Sequence, residues 1–198
     1  MNKTNNLDNV GTKEKKVGNK KPLTILPNPQ QLNQVWEYIN QRPNQKGEIY
    51  RLPHHCLFLL CWKAGLRVSE AISFDFNLHH TATEYQDLYL LRGKGNKDRY
   101  VYVSPEIIKE LKKRTWKPNA VNRISFFEYL RVIKREISLP EKVELAPHTL
   151  RRCFATHNAI NGMPLVVLQK VLGHAKISTT SLYIKDSGLE SLLQYKPL

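Results

Sequence analysis

The sequence predicts an α+β fold in which helices dominate. Apolar residues recur at spacings of three and four through most of the chain, the mark of helices with one buried face. Once, between residues 88 and 103, that period gives way to two short Tyr-, Val- and Leu-rich runs around a glycine-containing turn. Helix-start signals such as Asn28-Pro29 and Ser104-Pro105 punctuate the remainder.

The elements follow in order. Asn28-Pro29 opens a first helix through Asn40, with Leu32, Val35, Trp36 and Ile39 at helical spacing. Residues 42–50 are a polar loop. His54–Ala64 is an apolar helix ended by Gly65. Ser69–Ser73 starts another, with Ser69 as its cap. Leu88–Leu91 and Tyr100–Val103 are the strands of an antiparallel hairpin whose turn is RGKGNKDR. Ser104-Pro105-Glu106 places proline at the first position of a helix reaching Thr115. Ser125 with Glu128 reads as a capping box and Ile124 with Tyr129 as a hydrophobic staple, for a helix extending to Ser138. Pro147 precedes a helix over Thr149–Ile160, closed by Asn161-Gly162. Pro164–Leu172 is the next, closed by Gly173, and Ser178–Lys185 and Leu189–Gln194 are short ones. Residues 1–21, rich in Lys, Asn and Gly, read as a disordered basic arm, and 22–198 as one domain.

Composition narrows the classes. Hydrophobic residues are 41% of the 198, enough for a core. The longest apolar run, Cys56–Trp62, is far short of the roughly 20 residues that span a membrane, so no membrane is expected as a partner. The N-terminus has no apolar core of a secretory signal. Three cysteines without a CxxC pair point to free thiols in a reducing compartment and to no zinc site. Lys and Arg number 31 against 17 acids, a formal charge of +14, and the excess extends beyond the arm. Such an excess calls for a polyanionic partner, nucleic acid being the usual one and a membrane surface the other.

Six residues could carry chemistry: Arg67 in AGLRVSE, Lys94 in RGKGNKDR, His148 and Arg151 in PHTLRR, His174 in LGH, and Tyr183 in STTSLYIK. Singly, each has an ordinary structural reading: a solvated arginine, a polar turn, a helix-start histidine, a loop histidine, one of nine tyrosines in the core. Together they are more specific. His148 and Arg151 are three positions apart, which puts both on one helix face, with Leu150 and Phe154 marking the other. Arg67 and Arg151 supply two planar donor forks suited to the non-bridging oxygens of a phosphodiester. Lys94, at a hairpin tip, can reach into a groove.

AGLRVSEAISF, RGKGNKDRYVYV, PHTLRRCFATH and LGHAKISTTSLYIK, in this order, resemble the signature boxes of the tyrosine recombinases, or phage integrase family, Xer-type members above all. The resemblance runs from about Leu23 to Leu193. It implies a mainly helical catalytic domain that cleaves and rejoins double-stranded DNA, as a homo- or hetero-tetramer on paired sites, through a 3′-phosphotyrosyl link. It implies Tyr183 as nucleophile and Arg67 and Arg151 as phosphate clamps. Lys94 would be the general acid, His148 the general base or orienting group for Tyr183, and His174 a donor to the phosphate. Glu70 would brace the site. No cofactor, metal or ATP is implied, and the sequence accordingly has no GxxxxGK[ST] loop and no acidic cluster suited to two metals. The compartment implied is one that holds DNA: the cytoplasm and its nucleoid, or an organelle such as a plastid.

Four departures from the family pattern are visible. The N-terminal core-binding domain that completes the family's clamp on DNA is expected to be absent. The Lys94–His148 interval is short, HTLRR stands where HxLRH is usual, and 15 residues follow Tyr183. The rival function is a DNA-binding remnant without catalysis. Within the enzymes, the runners-up are a topoisomerase or a hairpin telomere resolvase sharing the chemistry.

Overall fold

The computed structural model describes residues 25–43, 52–78, 87–92 and 98–185. The basic arm, the hairpin turn with Lys94 and the helix expected over Leu189–Gln194 lie outside them. The order is α1 (Pro29–Gln41), α2 (Pro53–Trp62), α3 (Val68–Ser73), β1 (Leu88–Leu91), β2 (Arg99–Tyr102), α4 (Pro105–Lys113), α5 (Arg123–Glu136), α6 (Pro147–Ile160), α7 (Leu165–Leu172) and α8 (Ile177–Lys185). The strands pair antiparallel, with Leu88 opposite Tyr102 and Leu91 opposite Arg99. The helix-dominated α+β fold with one hairpin is as the sequence predicts.

Helix α2 is the axis of the core. Every residue from His55 to Trp62 is buried, because α3, α4, α5 and α6 all pack around it. Burying a side chain such as Leu57, Phe58 or Leu60 contributes roughly 1.5–3 kcal/mol each. Helix α1 lays Leu32, Val35 and Ile39 on this core. Its capping box is reciprocal: Gln31 N–H donates to Asn28 Oδ1 at 2.8 Å, and Asn28 N–H to Gln31 Oε1 at 3.0 Å. A smaller cluster of Ala155, Leu168 and Leu172 joins α6 to α7. The indole of Trp116 donates to the Phe74 carbonyl at 2.8 Å and ties the end of α4 to α3.

Two helix caps differ from expectation. Helix α5 is capped by Asn122, whose Oδ1 accepts from Ser125 N–H at 2.8 Å, so Ser125 is a donor inside the first turn and not the cap. Ile124 is accordingly helical and 76% exposed, and no staple forms with Tyr129. Helix α3 begins at Val68 with Arg67 as its N-cap, two positions before the expected Ser69. The carboxylate of Glu70, at the third helical position, reaches back to the Arg67 N–H at 2.7 Å and satisfies the terminus that a serine would otherwise serve.

All three thiols, Cys56, Cys61 and Cys153, are free and fully buried. Burial pushes each to about 12.

His55 is a weak point. It is buried against Tyr129, ring centroids 5.9 Å apart, and among the described residues neither ring nitrogen has a hydrogen-bond partner. Burial, then the charge of Arg114, lowers its pKa from 6.5 to about 3. The unfolded chain therefore takes up a proton below pH 6.5 that the folded chain refuses until about pH 3. Stability contributed by the neutral ring is present at neutral pH and falls as pH drops through that window, by up to about 1.4 kcal/mol per pH unit. Urea unfolding across the window is expected to show this slope, and His55→Leu to flatten it by one proton's share. An unchanged slope in the variant would refute the assignment.

Candidate active site

Gly65, in the left-handed conformation at φ +65°, turns the chain out of α2 and delivers Arg67 to the start of α3. The Arg67 side chain is 42% exposed. Its Nη1 donates to Glu70 Oε1 at 2.9 Å and its Nη2 to the Gly173 carbonyl at 3.1 Å. Glu70 is also gripped by Arg99, Nη1 to Oε1 at 2.6 Å and Nη2 to Oε2 at 2.9 Å, while Arg99 Nε donates to the Val171 carbonyl at 2.8 Å. Burial pushes the Glu70 carboxyl upward. The Arg99 hydrogen bonds and charge, joined by those of Arg67, outweigh it and hold the group at about 2.

Arg151, on α6, completes the cluster. Its Nη1 donates to the Gly65 carbonyl at 2.6 Å and its Nη2 to the Leu172 carbonyl, with Nη1 3.8 Å from Glu70 Oε2. Three guanidinium groups thus surround one carboxylate, a surplus of two positive charges. Arg151 is only 8% exposed, so it lies deeper than the displayed position beside His148 that the three-residue spacing implied. Two backbone carbonyls draw it inward. His148 stands in the first turn of α6, exposed, its Nε2 3.4 Å from Glu144 Oε1.

Arg67, His148 and Arg151 nevertheless border one cleft of about 810 Å³, with Arg123, Ile124, Phe127 and Arg152 on its other walls. His174 follows Gly173 and lies beside the arginines. Burial, then the charges of Arg151, Arg67 and Arg99, lowers its pKa to about 4, so its ring is neutral at physiological pH. Gly173 has φ +61°, and a Cβ there would stand 2.6 Å from Arg99 Cδ. Only glycine lets α7 end against the arginines. Tyr183 is on α8, which packs on α6 and α7. Its side chain and Lys94 are outside the described set.

Sequence reasoning missed Arg99. The signal was present: along the hairpin Arg99 alternates with Val101 and Val103, all three buried, while Tyr100 and Tyr102 are exposed. A charge at an inward register position of a strand must have a partner, and Glu70 is that partner. Arg123, on the cleft wall, had no such signal.

Residues 28–188 match the phage integrase family. The chain belongs to that family. Among curated relatives of the phage integrase family, the tyrosine recombinase XerD of Rickettsia prowazekii is 30% identical over 89% of this chain and 64% of its own length. The tyrosine recombinase XerA of Pyrococcus horikoshii is 28% identical over 90% of this chain and 64% of its own. The chain therefore spans just under two thirds of the length of these relatives. Among solved structures, XerH bound to palindromic difH substrate in a post-cleavage complex superposes with a TM-score of 0.70 at 21% identity, covering 87% of this chain and 53% of that one. The catalytic domain of bacteriophage HP1 integrase gives 0.60 at 24% identity, covering 88% and 96%. The phage integrase catalytic fold is thus shared across both. Among the described residues no group of three His, Cys, Asp or Glu is placed to hold a metal ion, and no helix is long and apolar enough to cross a membrane.

Proposed function

We propose that this chain is a site-specific tyrosine recombinase that breaks and rejoins duplex DNA, with residues 22–198 as its catalytic domain. The observation that carries the reading is the pair of guanidiniums, Arg67 and Arg151, braced on Glu70 and bordering one cleft with His148. A cationic surplus held before substrate arrives suits a scissile phosphodiester, because it costs no reorganisation when charge builds on phosphorus.

A phenol with a pKa of about 10 is a weak nucleophile at neutral pH and needs help. His148 takes or orients the Tyr183 proton. The phenolate oxygen attacks the phosphorus, forming a 3′-phosphotyrosyl bond as the bond to the 5′-oxygen breaks. Lys94 gives that oxygen its proton. Arg67 and Arg151 stabilise the pentacoordinate state, and the neutral His174 donates one hydrogen bond. Rejoining is the reverse attack by a 5′-hydroxyl, so the energy stays in the covalent link and no nucleotide is consumed. Exchange between two duplexes breaks two strands in each, one tyrosine per strand, which calls for a homo- or hetero-tetramer on paired sites.

The test is a nicked suicide duplex built from inverted repeats in the DNA flanking the gene. A denaturation-resistant protein–DNA adduct is expected and should vanish in Tyr183→Phe. Duplex retention without any adduct would favour the non-catalytic, DNA-binding reading. Strand exchange between two labelled duplexes separates recombination from a topoisomerase or resolvase activity. Binding is expected to weaken steeply with salt, the logarithm of affinity falling by about 0.9 per phosphate contact for each tenfold rise in salt. A flat response in a filter-binding series would rule out a backbone-dominated interface.

A further inference from the structure

A small group of hydrogen bonds ties α8 to the turn after α7. His174 N–H donates to the Gln169 carbonyl at 3.1 Å, and its own carbonyl accepts from Gln169 Nε2 at 3.0 Å. The backbone of His174 is thereby fixed from two sides. Its ring meets Thr180, Nδ1 to Oγ1 at 3.0 Å. Thr180 is fully buried and stands on α8 three positions before Tyr183 in the sequence.

The hydroxyl decides the direction of that bond. A helical Ser or Thr commonly donates to a carbonyl three or four positions back, as Ser181 does to Ser178 at 2.9 Å. Among the described residues the Thr180 hydroxyl has no carbonyl or carboxylate acceptor, only His174 Nδ1. A buried hydroxyl hydrogen left without an acceptor is costly, because its bond to water is lost and nothing replaces it. Nδ1 accepts only in a neutral ring whose hydrogen is on Nε2. The low dielectric and the three guanidiniums around His174 keep the ring neutral.

We propose that Thr180 is a positioning residue that sets the tautomer of His174: it donates to Nδ1 and so leaves the N–H on Nε2, as the donor to a phosphate oxygen held by Arg67 and Arg151. The catalytic consequence rests on the recombinase reading; the tautomer itself does not. Without the hydroxyl the two neutral tautomers compete, and the one with hydrogen on Nδ1 has no donor on its outer nitrogen. The same bond registers the helix of the nucleophile against the phosphate-binding side.

The test is a proton–nitrogen correlation spectrum of the histidine rings in the full chain at neutral pH without DNA, with His174→Gln identifying the signals. Hydrogen on Nε2 is expected in the natural chain and in Thr180→Ser, and a mixture of tautomers in Thr180→Val. In the suicide-duplex assay Thr180→Val should form adduct about tenfold more slowly, equivalent to about 1.4 kcal/mol of barrier, at unchanged duplex retention, with Thr180→Ser recovering most of the rate. Hydrogen on Nδ1 in the natural chain, or a His174 spectrum unmoved in Thr180→Val, overturns the proposal. Should Thr180→Val fail to unfold cooperatively, the natural chain and Thr180→Ser decide it. Because the spectra need no DNA, a natural chain that forms no adduct would count against the recombinase reading alone.

Discussion

Arg151→Ala is expected to abolish measurable adduct formation and to lower stability together. Removing one donor from a transition-state clamp raises the barrier by about 3 kcal/mol, a loss of roughly a hundredfold or more in rate. The side chain also satisfies the carbonyls of Gly65 and Leu172, one from the turn after α2 and one from the end of α7. Leaving a buried acceptor unpaired costs about 1–3 kcal/mol. Arg151→Lys separates the two effects. A lysine keeps the charge but has no planar fork to bridge two carbonyls and a phosphate, so it should restore duplex retention more than cleavage. Adduct formation in Arg151→Ala at the natural rate would remove Arg151 from the chemistry altogether.

Glu70→Gln should be the most damaging substitution to the fold within the site. Arg99 is nearly buried and its fork closes on that one carboxylate. Taking away one member of a buried ion pair costs about 3–5 kcal/mol, because the remaining charge is stranded. Glu70→Gln combined with Arg99→Met should recover much of that loss, which urea unfolding of the three variants would measure. The pH dependence has a definite sign. The folded carboxyl is held at about 2, below its ordinary 4.5, so its contribution is complete above pH 4.5 and lost as pH falls toward 2. An unaltered urea midpoint in Glu70→Gln would mean that the carboxylate is not what steadies Arg99.

The helices and the hairpin were legible because each carried a local signal: period, proline at a first turn, glycine at an end. The two misplaced caps share one cause. Where Asn122 or the returning Glu70 carboxylate serves a helix terminus, a nearby serine that fits the pattern is spare, and sequence does not say which group will satisfy the N–H. Arg67, Arg151 and His148 were legible as cleft residues from their spacing and chemistry. The depth of Arg151 was not, because the carbonyls that draw it in come from residues 65 and 172, far along the chain in both directions. Arg99 reads from the sequence as the last charge of RGKGNKDR and not as the first residue of β2, and Thr180 as one more hydroxyl in STTS.

The three sequestered thiols have a practical consequence. With each sulfur inside the core and held in its protonated form, the native molecule offers no thiolate to an oxidant or an alkylating probe. Thiol oxidation is therefore expected to be slow while the chain is folded. Any sulfhydryl label that does enter counts an excursion of the α2–α6 interior into solvent, and so clocks how often the molecule opens.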